Sequence, residues 1–156
     1  MKSSNHMLLQ TMGALLGALA SMSAAALELG QRLTPQQIGA LPTQTVTVAG
    51  ETLRVVSGSA GKSGVLRSTL VINSLGAVGE SRHEVLVSQV APSAVRSTAA
   101  ALRLPTVASS FFEQTGISAL RFATFEQAVQ ARDQLARQLP RAAIAVPVQY
   151  SELRAR

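Results

Sequence analysis

The chain has 156 residues, 47% of them hydrophobic but only 3% aromatic, and a formal net charge of +6. This length allows one modest domain, or one small domain with an extension, whose thin core is built mainly from Val, Leu, Ile and Ala. The absence of cysteine excludes disulfides, thiolate metal sites and a lipidated cysteine. The basic side chains are scattered singly without interleaved aromatic residues, so their excess indicates solvated surface charge, and we expect no nucleic-acid partner.

The first 26 residues have the pattern of a secretory signal. Lys2 precedes an apolar run over residues 7–20, and the small residues Ala24-Ala25-Ala26 follow it as a cleavage site. The alternative is an uncleaved anchor helix, for which the run is short, because a bilayer span needs about 20 apolar residues. We therefore predict that residues 1–26 are a signal peptide, that the protein is periplasmic or secreted, and that it has no stable membrane association after cleavage.

Residues 27–81 are predicted to form a β-rich N-terminal region. Thr34-Pro35 predicts a capped helical turn with Pro at its first helical position. Two runs that alternate β-branched and polar side chains flank Ala49-Gly50, which predicts a hairpin. The predicted hairpin strands are residues 43–48 and 52–56, a further strand is predicted over residues 65–75, and loops are predicted over residues 57–64 and 76–81.

The second half of the chain has the pattern strand–helix–strand–strand–helix–strand. Pro92 opens the first helix, and Thr124 with Gln127 three residues later forms a capping box at the start of the second. The predicted strands cover residues 83–90, 107–113, 117–123 and 143–148, and the second helix covers residues 125–138. This order is the split βαβ plan. We therefore predict an α+β fold with a ferredoxin-like (βαββαβ) domain over residues 82–150, a β-rich N-terminal extension and an extended C-terminal tail over residues 151–156.

Two adjacent phenylalanines, Phe111 and Phe112, lie in a predicted strand and must therefore occupy different environments. Successive side chains of a strand point to opposite faces of the sheet. One of Phe111 and Phe112 therefore fills the core under the helices, and the other lies on the open face of the sheet. Two covers for this face stay open: the N-terminal half of the chain, or the surface of a partner.

The chain offers no set of residues for catalysis or metal binding. After removal of the signal, His83 is the only histidine, and no second ligand stands near it at metal spacing. Gly61-Lys62-Ser63 resembles the end of a phosphate-binding loop, but Val56 stands where the motif needs its first glycine, so we predict a turn. We expect no enzyme activity, no metal and no cofactor, and a function exerted on a partner.

The C-terminal residues contain neither glycine nor proline and can therefore run extended. The alternative is a frayed terminus. An extended segment can pair with a groove as substrates pair with proteases, and Arg156 would then enter an acidic primary pocket with Leu153 the fourth residue back. The predicted binding segment is Tyr150, Ser151, Glu152, Leu153, Arg154, Ala155 and Arg156.

Part of the second half resembles the propeptides of subtilisin-like serine proteases, the family of inhibitor-like prodomains. The resemblance lies in the segment from Phe111 to Phe122, with its Glu113-Gln114-Thr115-Gly116 turn, in the helix that follows, and in the last strand over residues 143–148. No protease domain follows, and the chain has its own predicted export signal. It therefore resembles the free-standing external chaperones that some bacteria secrete beside a subtilisin/kexin-like protease.

The resemblance implies a role for three parts of the chain. Residues Tyr150 to Arg156 would fill the substrate cleft of a subtilisin/kexin-like serine protease. The open sheet face, with one of Phe111 and Phe112, would cover two protease helices, and Glu113 would lie at the N-termini of those helices, where carboxylates are favoured. The implied function is a secreted chaperone and inhibitor that assists the folding of the protease and blocks its cleft. The alternative is a periplasmic adaptor or small-ligand binding module without a protease partner.

Overall fold

The structure, a computed structural model, describes residues 27–58 and 68–151. The predicted signal peptide, the Gly61-Lys62-Ser63 segment and residues 152–156 of the predicted tail lie outside the described residues. Two four-stranded antiparallel sheets and three helices make up the described part of the chain, so the predicted α+β class is confirmed. Every helix within these ranges is too short or too polar to traverse a bilayer.

The N-terminal sheet is an antiparallel meander in the order β1-β2-β3-β4. Its strands are β1 (Thr43–Val48), β2 (Glu51–Val56), β3 (Thr69–Ile72) and β4 (Val78–Ser81), preceded by the short helix α1 (Pro35–Gly39). The predicted hairpin forms because Ala49 and Gly50 both have positive φ, 51° and 87°, as a tight turn between twisted strands requires. The predicted helical turn is also present, with Thr34 and Gln37 in a capping box.

The last part of this sheet differs from the prediction. The third strand ends at Ile72 and not at residue 75, because the Asn73 side chain accepts the N–H groups of Leu75 and Ala77 and closes a turn. Residues 78–81, predicted as part of a loop, are strand β4, in which every residue is buried. A strand buried on both faces has no alternation of apolar and polar residues, and Gly79 interrupts the apolar run, so local pattern did not reveal it.

The second sheet has the order β6-β7-β5-β8, and all neighbouring strands in it are antiparallel. The elements follow one another as β5 (Glu84–Ser88), α2 (Pro92–Ala101), β6 (Thr106–Phe112), β7 (Ile117–Phe122), α3 (Phe125–Gln138) and β8 (Ala143–Ala145). Thr124 caps α3 by accepting the Gln127 N–H at 3.2 Å. The predicted capping box is only half formed, because the Gln127 side chain accepts the Ala123 N–H and not that of Thr124.

Helix α3 lies between the two sheets and packs on both. One side of α3 joins α2 in the core of the second sheet, formed by Val85, Val87, Leu120, Phe122, Val95, Ala128, Ala131 and Leu135. The other side packs on the N-terminal sheet through Phe125 and Val129, which contact Val48, Leu53, Val55 and Val71. The N-terminal region therefore packs on the helix side of the second sheet.

The chain after β8 crosses from the second sheet to the N-terminal sheet. Strands β4 and β5 follow each other directly, with a bend at His83, whose φ is 60°. Ala145 is paired with Leu86 of β5, and Gln149 forms a bridge with Glu80 of β4. Pro147, which has no N–H to donate, lies between these two pairs where the ladder is interrupted. The predicted last strand therefore leaves the second sheet after residue 145, and the C-terminal segment continues along β4.

Candidate functional site

The face of the second sheet that points away from the helices is called the outer face, and it exposes two large apolar side chains, Phe112 and Ile117. Val85, Val87, Leu120 and Phe122 point to the helices, so the side chains that alternate with them point outward. No residue of the outer face belongs to the hydrophobic clusters of the described ranges. By the strand register, the outer face comprises Glu84, Leu86, Ser88, Ala108, Ser110, Phe112, Ile117, Ala119, Arg121, Ala143 and Ala145.

The outer face has an apolar end, a small-residue centre and a charged end. Phe112 and Ile117 lie directly opposite each other and are 51% and 40% exposed. Serine and alanine side chains occupy most of the centre, so a partner can approach the backbone there. At the other end, Arg121 is paired with Glu84 at 3.8 Å. The outer face therefore offers two exposed apolar side chains at one end and the half-buried Leu86 among small residues in its centre, while Arg121 at the other end is buried.

The two phenylalanines lie on opposite faces. Phe111 is half-buried against the core on the helix side, and the Arg96 guanidinium lies 4.7 Å from the centre of its ring. Glu113 follows at the end of β6, where its carboxylate is 3.6 Å from Arg96. Both side chains of this pair are mostly exposed, so water screens their attraction. The Glu113 carboxylate can therefore leave Arg96 and accept a hydrogen bond from a donor on another molecule.

The first residue of the predicted binding tail lies in the folded body. Tyr150 is half-buried on the N-terminal sheet, in contact with the backbone of Gly79 and Gly30. Burial raises the pKa of Tyr150, the nearby Glu51 carboxylate raises it further, and a side-chain hydrogen bond with Asn73 opposes this shift. Ser151 is exposed. The predicted tail residues Glu152, Leu153, Arg154, Ala155 and Arg156 lie outside the described residues. The ring of Tyr150 therefore serves to hold the chain on the body, which the sequence alone did not predict.

A buried polar cluster lies where the two sheets meet. His83 is 3% exposed, and its Nε2 is 2.7 Å from Thr69 Oγ1. Its Nδ1 is buried without a hydrogen-bond partner among the residues that the structure describes. Ser68 donates its hydroxyl to the Glu80 carboxylate. Burial lowers the pKa of His83 and Arg121 lowers it further, while Glu126 acts in the opposite direction.

The lowered pKa predicts that acid destabilises the fold through His83. Below about pH 6.5, the ordinary pKa of histidine, the unfolded chain binds a proton that the buried imidazole resists, so stability is lost as the pH falls. We expect the urea midpoint of the wild type to fall between pH 7.5 and pH 5.5. The fall should be clearly smaller in His83→Gln, whose side chain does not titrate. An equal fall in both proteins would show that other groups cause it.

A cavity of about 440 Å³ opens beside His83. Its lining includes Val55, Ser68, Thr69, His83, Thr124 and Glu126. The hydroxyl of Ser68 donates to Glu80 and not to the imidazole, so a serine nucleophile is not paired with its base here. Within the described ranges, no three histidine or acidic side chains lie together as a metal site would need. The cavity thus offers polar contacts for a small molecule, among them the Thr69 hydroxyl and the His83 imidazole, which are 2.7 Å apart.

The chain was compared with protein-family models, with curated proteins and with solved structures, and none of the three comparisons finds a match.

Proposed function

We propose that this protein is a secreted or periplasmic chaperone and inhibitor of a subtilisin/kexin-like serine protease. The observation that carries the proposal is the combination of exposed Phe112 and Ile117 on the outer face with a C-terminal segment held on the body as far as Tyr150. The outer face would bind the protease surface, with Phe112 as its main apolar contact. Glu113, whose carboxylate is paired with Arg96 on the helix side, would leave that exposed ion pair to contact the protease at the end of β6. The residues after Tyr150 would enter the substrate cleft. No chemistry by this chain is required.

We further propose that residues 82–150 are a ferredoxin-like domain. Two observations support this arrangement. The elements β5, α2, β6, β7, α3 and β8 follow one another as strand–helix–strand–strand–helix–strand. Their strands lie in the order β6-β7-β5-β8, in which each helix connects two strands that are separated by one antiparallel neighbour.

Assistance to folding follows from selective binding. A protein that binds the native protease and not its unfolded chain lowers the free energy of the native state, and of any transition state that already carries the binding surface. Burial of apolar surface supplies roughly 25 cal/mol per Å², so covering the exposed half of Phe112 is worth about 0.8–1.5 kcal/mol. That range corresponds to roughly a fourfold to tenfold change in affinity.

Co-expression with a bacterial subtilisin-family protease of kexin-like specificity tests the proposal. We expect the wild-type protein to raise the yield of active protease, and Phe112→Asp to lose most of this effect because a carboxylate would be desolvated at the contact. Leu75→Asp is the matched control, since Leu75 is 72% exposed but lies in the turn between β3 and β4, away from the outer face. If active protease accumulates equally with and without this protein, chaperoning is wrong.

The cavity beside His83 favours the alternative function, a periplasmic adaptor or small-ligand binding module. The two functions make opposite predictions for the C-terminal residues. Removal of Leu153 to Arg156 should weaken an inhibitor strongly, because those residues would occupy the cleft. The same removal should leave a ligand-binding module unchanged, because the cavity is formed by residues far from the C-terminus in the sequence.

A further inference from the structure

The edge of β4 that faces away from β3 holds the C-terminal segment through its backbone. Gln149 donates its N–H to the Glu80 carbonyl at 2.8 Å, and Glu80 donates its N–H to the Gln149 carbonyl at the same distance. The N-terminal segment occupies the same edge one step earlier, where Gly30 donates to the Val78 carbonyl at 2.8 Å. Both ends of the described chain are therefore held on one strand of the N-terminal sheet.

Two glycines make room for Tyr150 at this place. A Cβ atom at Gly79 would lie 2.5 Å from Val148 Cγ1 and 2.8 Å from Tyr150 Cε1, closer than real Cβ contacts. A Cβ atom at Gly30 would lie 2.6 Å from the Tyr150 carbonyl oxygen, and the φ of Gly30 is +79°. Any larger residue at Gly79 would have to displace the Tyr150 ring or the Val148 side chain. Gly79 and Gly30 thus form a seat for the last described residues.

The contacts around this seat continue into the core. Val148 and Val146 pack on the cluster that joins α3 to the N-terminal sheet. Glu80, which pairs with Gln149, has its own carboxylate fixed by the Ser68 hydroxyl. The C-terminal segment is therefore fixed at alternate residues as far as Tyr150, and Ser151 is the first exposed residue after it.

From these contacts we propose that the N-terminal sheet acts as a clamp that fixes the point and direction in which the C-terminal tail leaves the body. The clamp consists of Gly30, Gly79, Glu80, Gln149 and Tyr150, and Gly79 and Tyr150 are positioning residues. This inference rests on the proposed function, because the segment to be positioned is the one that enters the protease cleft. It assigns to the N-terminal region a role in inhibition that the outer face and the tail do not supply.

The physical benefit of the clamp is a higher effective concentration of the tail at the cleft. When the chain is held at Tyr150, the tether that leads to the C-terminal arginine is the six residues 151–156, which span at most about 20 Å. Without the clamp, the tether would begin after β8 and comprise the eleven residues 146–156. The local concentration of a tethered ligand falls roughly as the −3/2 power of the tether length or more steeply, so release of the clamp should weaken inhibition about twofold to fourfold.

The Gly79→Ala variant, assayed in the full chain and in a chain that ends at Ser151, tests the inference. The added methyl group should displace Tyr150, so inhibition of the protease by the full chain should weaken about twofold to fourfold. In the shortened chain the same substitution should leave binding to a catalytically inactivated protease unchanged, because no tail is left to position. Gly39→Ala is the control glycine, since no atom lies within 4 Å of the added Cβ there. An equal loss in both chain lengths would mean that Gly79→Ala only damages the fold, and would overturn the inference.

Amide hydrogen exchange gives a second readout that needs no protease. The Gln149 amide should be protected in the wild type and exchange much faster in Tyr150→Ala, while the amides of β5 and β7 keep their protection. If the wild-type Gln149 amide exchanges as fast as that of Ser151, the clamp does not exist. The inference then fails, while the proposed function is not affected. If the wild type shows protection at Gln149 but inhibits no subtilisin-family protease, the proposed function fails, and the role assigned to the clamp fails with it.

Discussion

Removal of Leu153 to Arg156 is expected to weaken inhibition of a subtilisin/kexin-like protease by about a hundredfold or more. An extended segment in a protease cleft makes several backbone hydrogen bonds, each worth about 0.5–1.5 kcal/mol net. A terminal arginine in an acidic pocket adds a charge-assisted bond of roughly 1.5–3 kcal/mol. A total of about 3 kcal/mol already corresponds to a hundredfold change in the inhibition constant. The inhibition constant, measured with a chromogenic peptide substrate, is the quantity to compare.

Two controls separate the loss of tail contacts from damage to the body. A variant with the same tail residues in scrambled order keeps the length and charge, and it should be nearly as weak as the deletion. The thermal midpoint of the shortened protein should match the wild type, because the chain is held on β4 as far as Tyr150. An unchanged inhibition constant after the deletion would exclude the tail as the inhibitory segment.

Replacement of Phe125 by alanine is expected to lower the free energy of unfolding by about 3–5 kcal/mol. Phe125 is fully buried at the first turn of α3, and with Val129 it forms the contact between that helix and the N-terminal sheet. Alanine would leave a cavity between two preformed layers, and neither layer can close it without losing its own packing. Urea denaturation followed by circular dichroism gives the change in stability.

The matched control is Phe112→Ala on the outer face. Phe112 is 51% exposed and belongs to no hydrophobic cluster of the described residues, so its truncation should cost about 1 kcal/mol or less. A small effect at Phe125 would mean that the N-terminal sheet is held to the helices by other contacts. Equal effects at the two positions would show that the outer face is covered in the folded monomer.

Local patterns determined much of the fold. The N-caps Thr34 and Thr124, the positive-φ turn at Ala49-Gly50 and the helix opened by Pro92 are each decided by a few neighbouring residues, so each could be predicted from the sequence. The strand–helix–strand–strand–helix–strand order also follows from such local signals. Strand β4 was missed because burial on both faces removes the alternation by which a strand is recognised.

The candidate site could be predicted only in part. Alternation along a strand already requires that Phe111 and Phe112 lie on opposite faces, and the structure adds that Phe112 is the exposed one. Tyr150 was assigned to the tail because its neighbours in sequence are polar and extended. Its actual surroundings are Gly30 and Gly79, which are 120 and 71 residues away in the sequence and which no local pattern connects with it.

The sequence by itself thus determined the α+β class, the caps and turns and the amphipathic faces, because these depend on interactions between residues close along the chain. Only the tertiary structure decided that α3 lies between the two sheets, that Phe112 and Ile117 stay exposed on the outer face, and that the C-terminal segment is held on β4. Those outcomes depend on shape and on contacts between residues far apart in the chain. The space that Gly79 leaves for Tyr150 is an example, because the absence of a side chain at Gly79 matters only once the C-terminal segment lies on β4. The bend at His83 is another, because it matters only once the two sheets lie against each other.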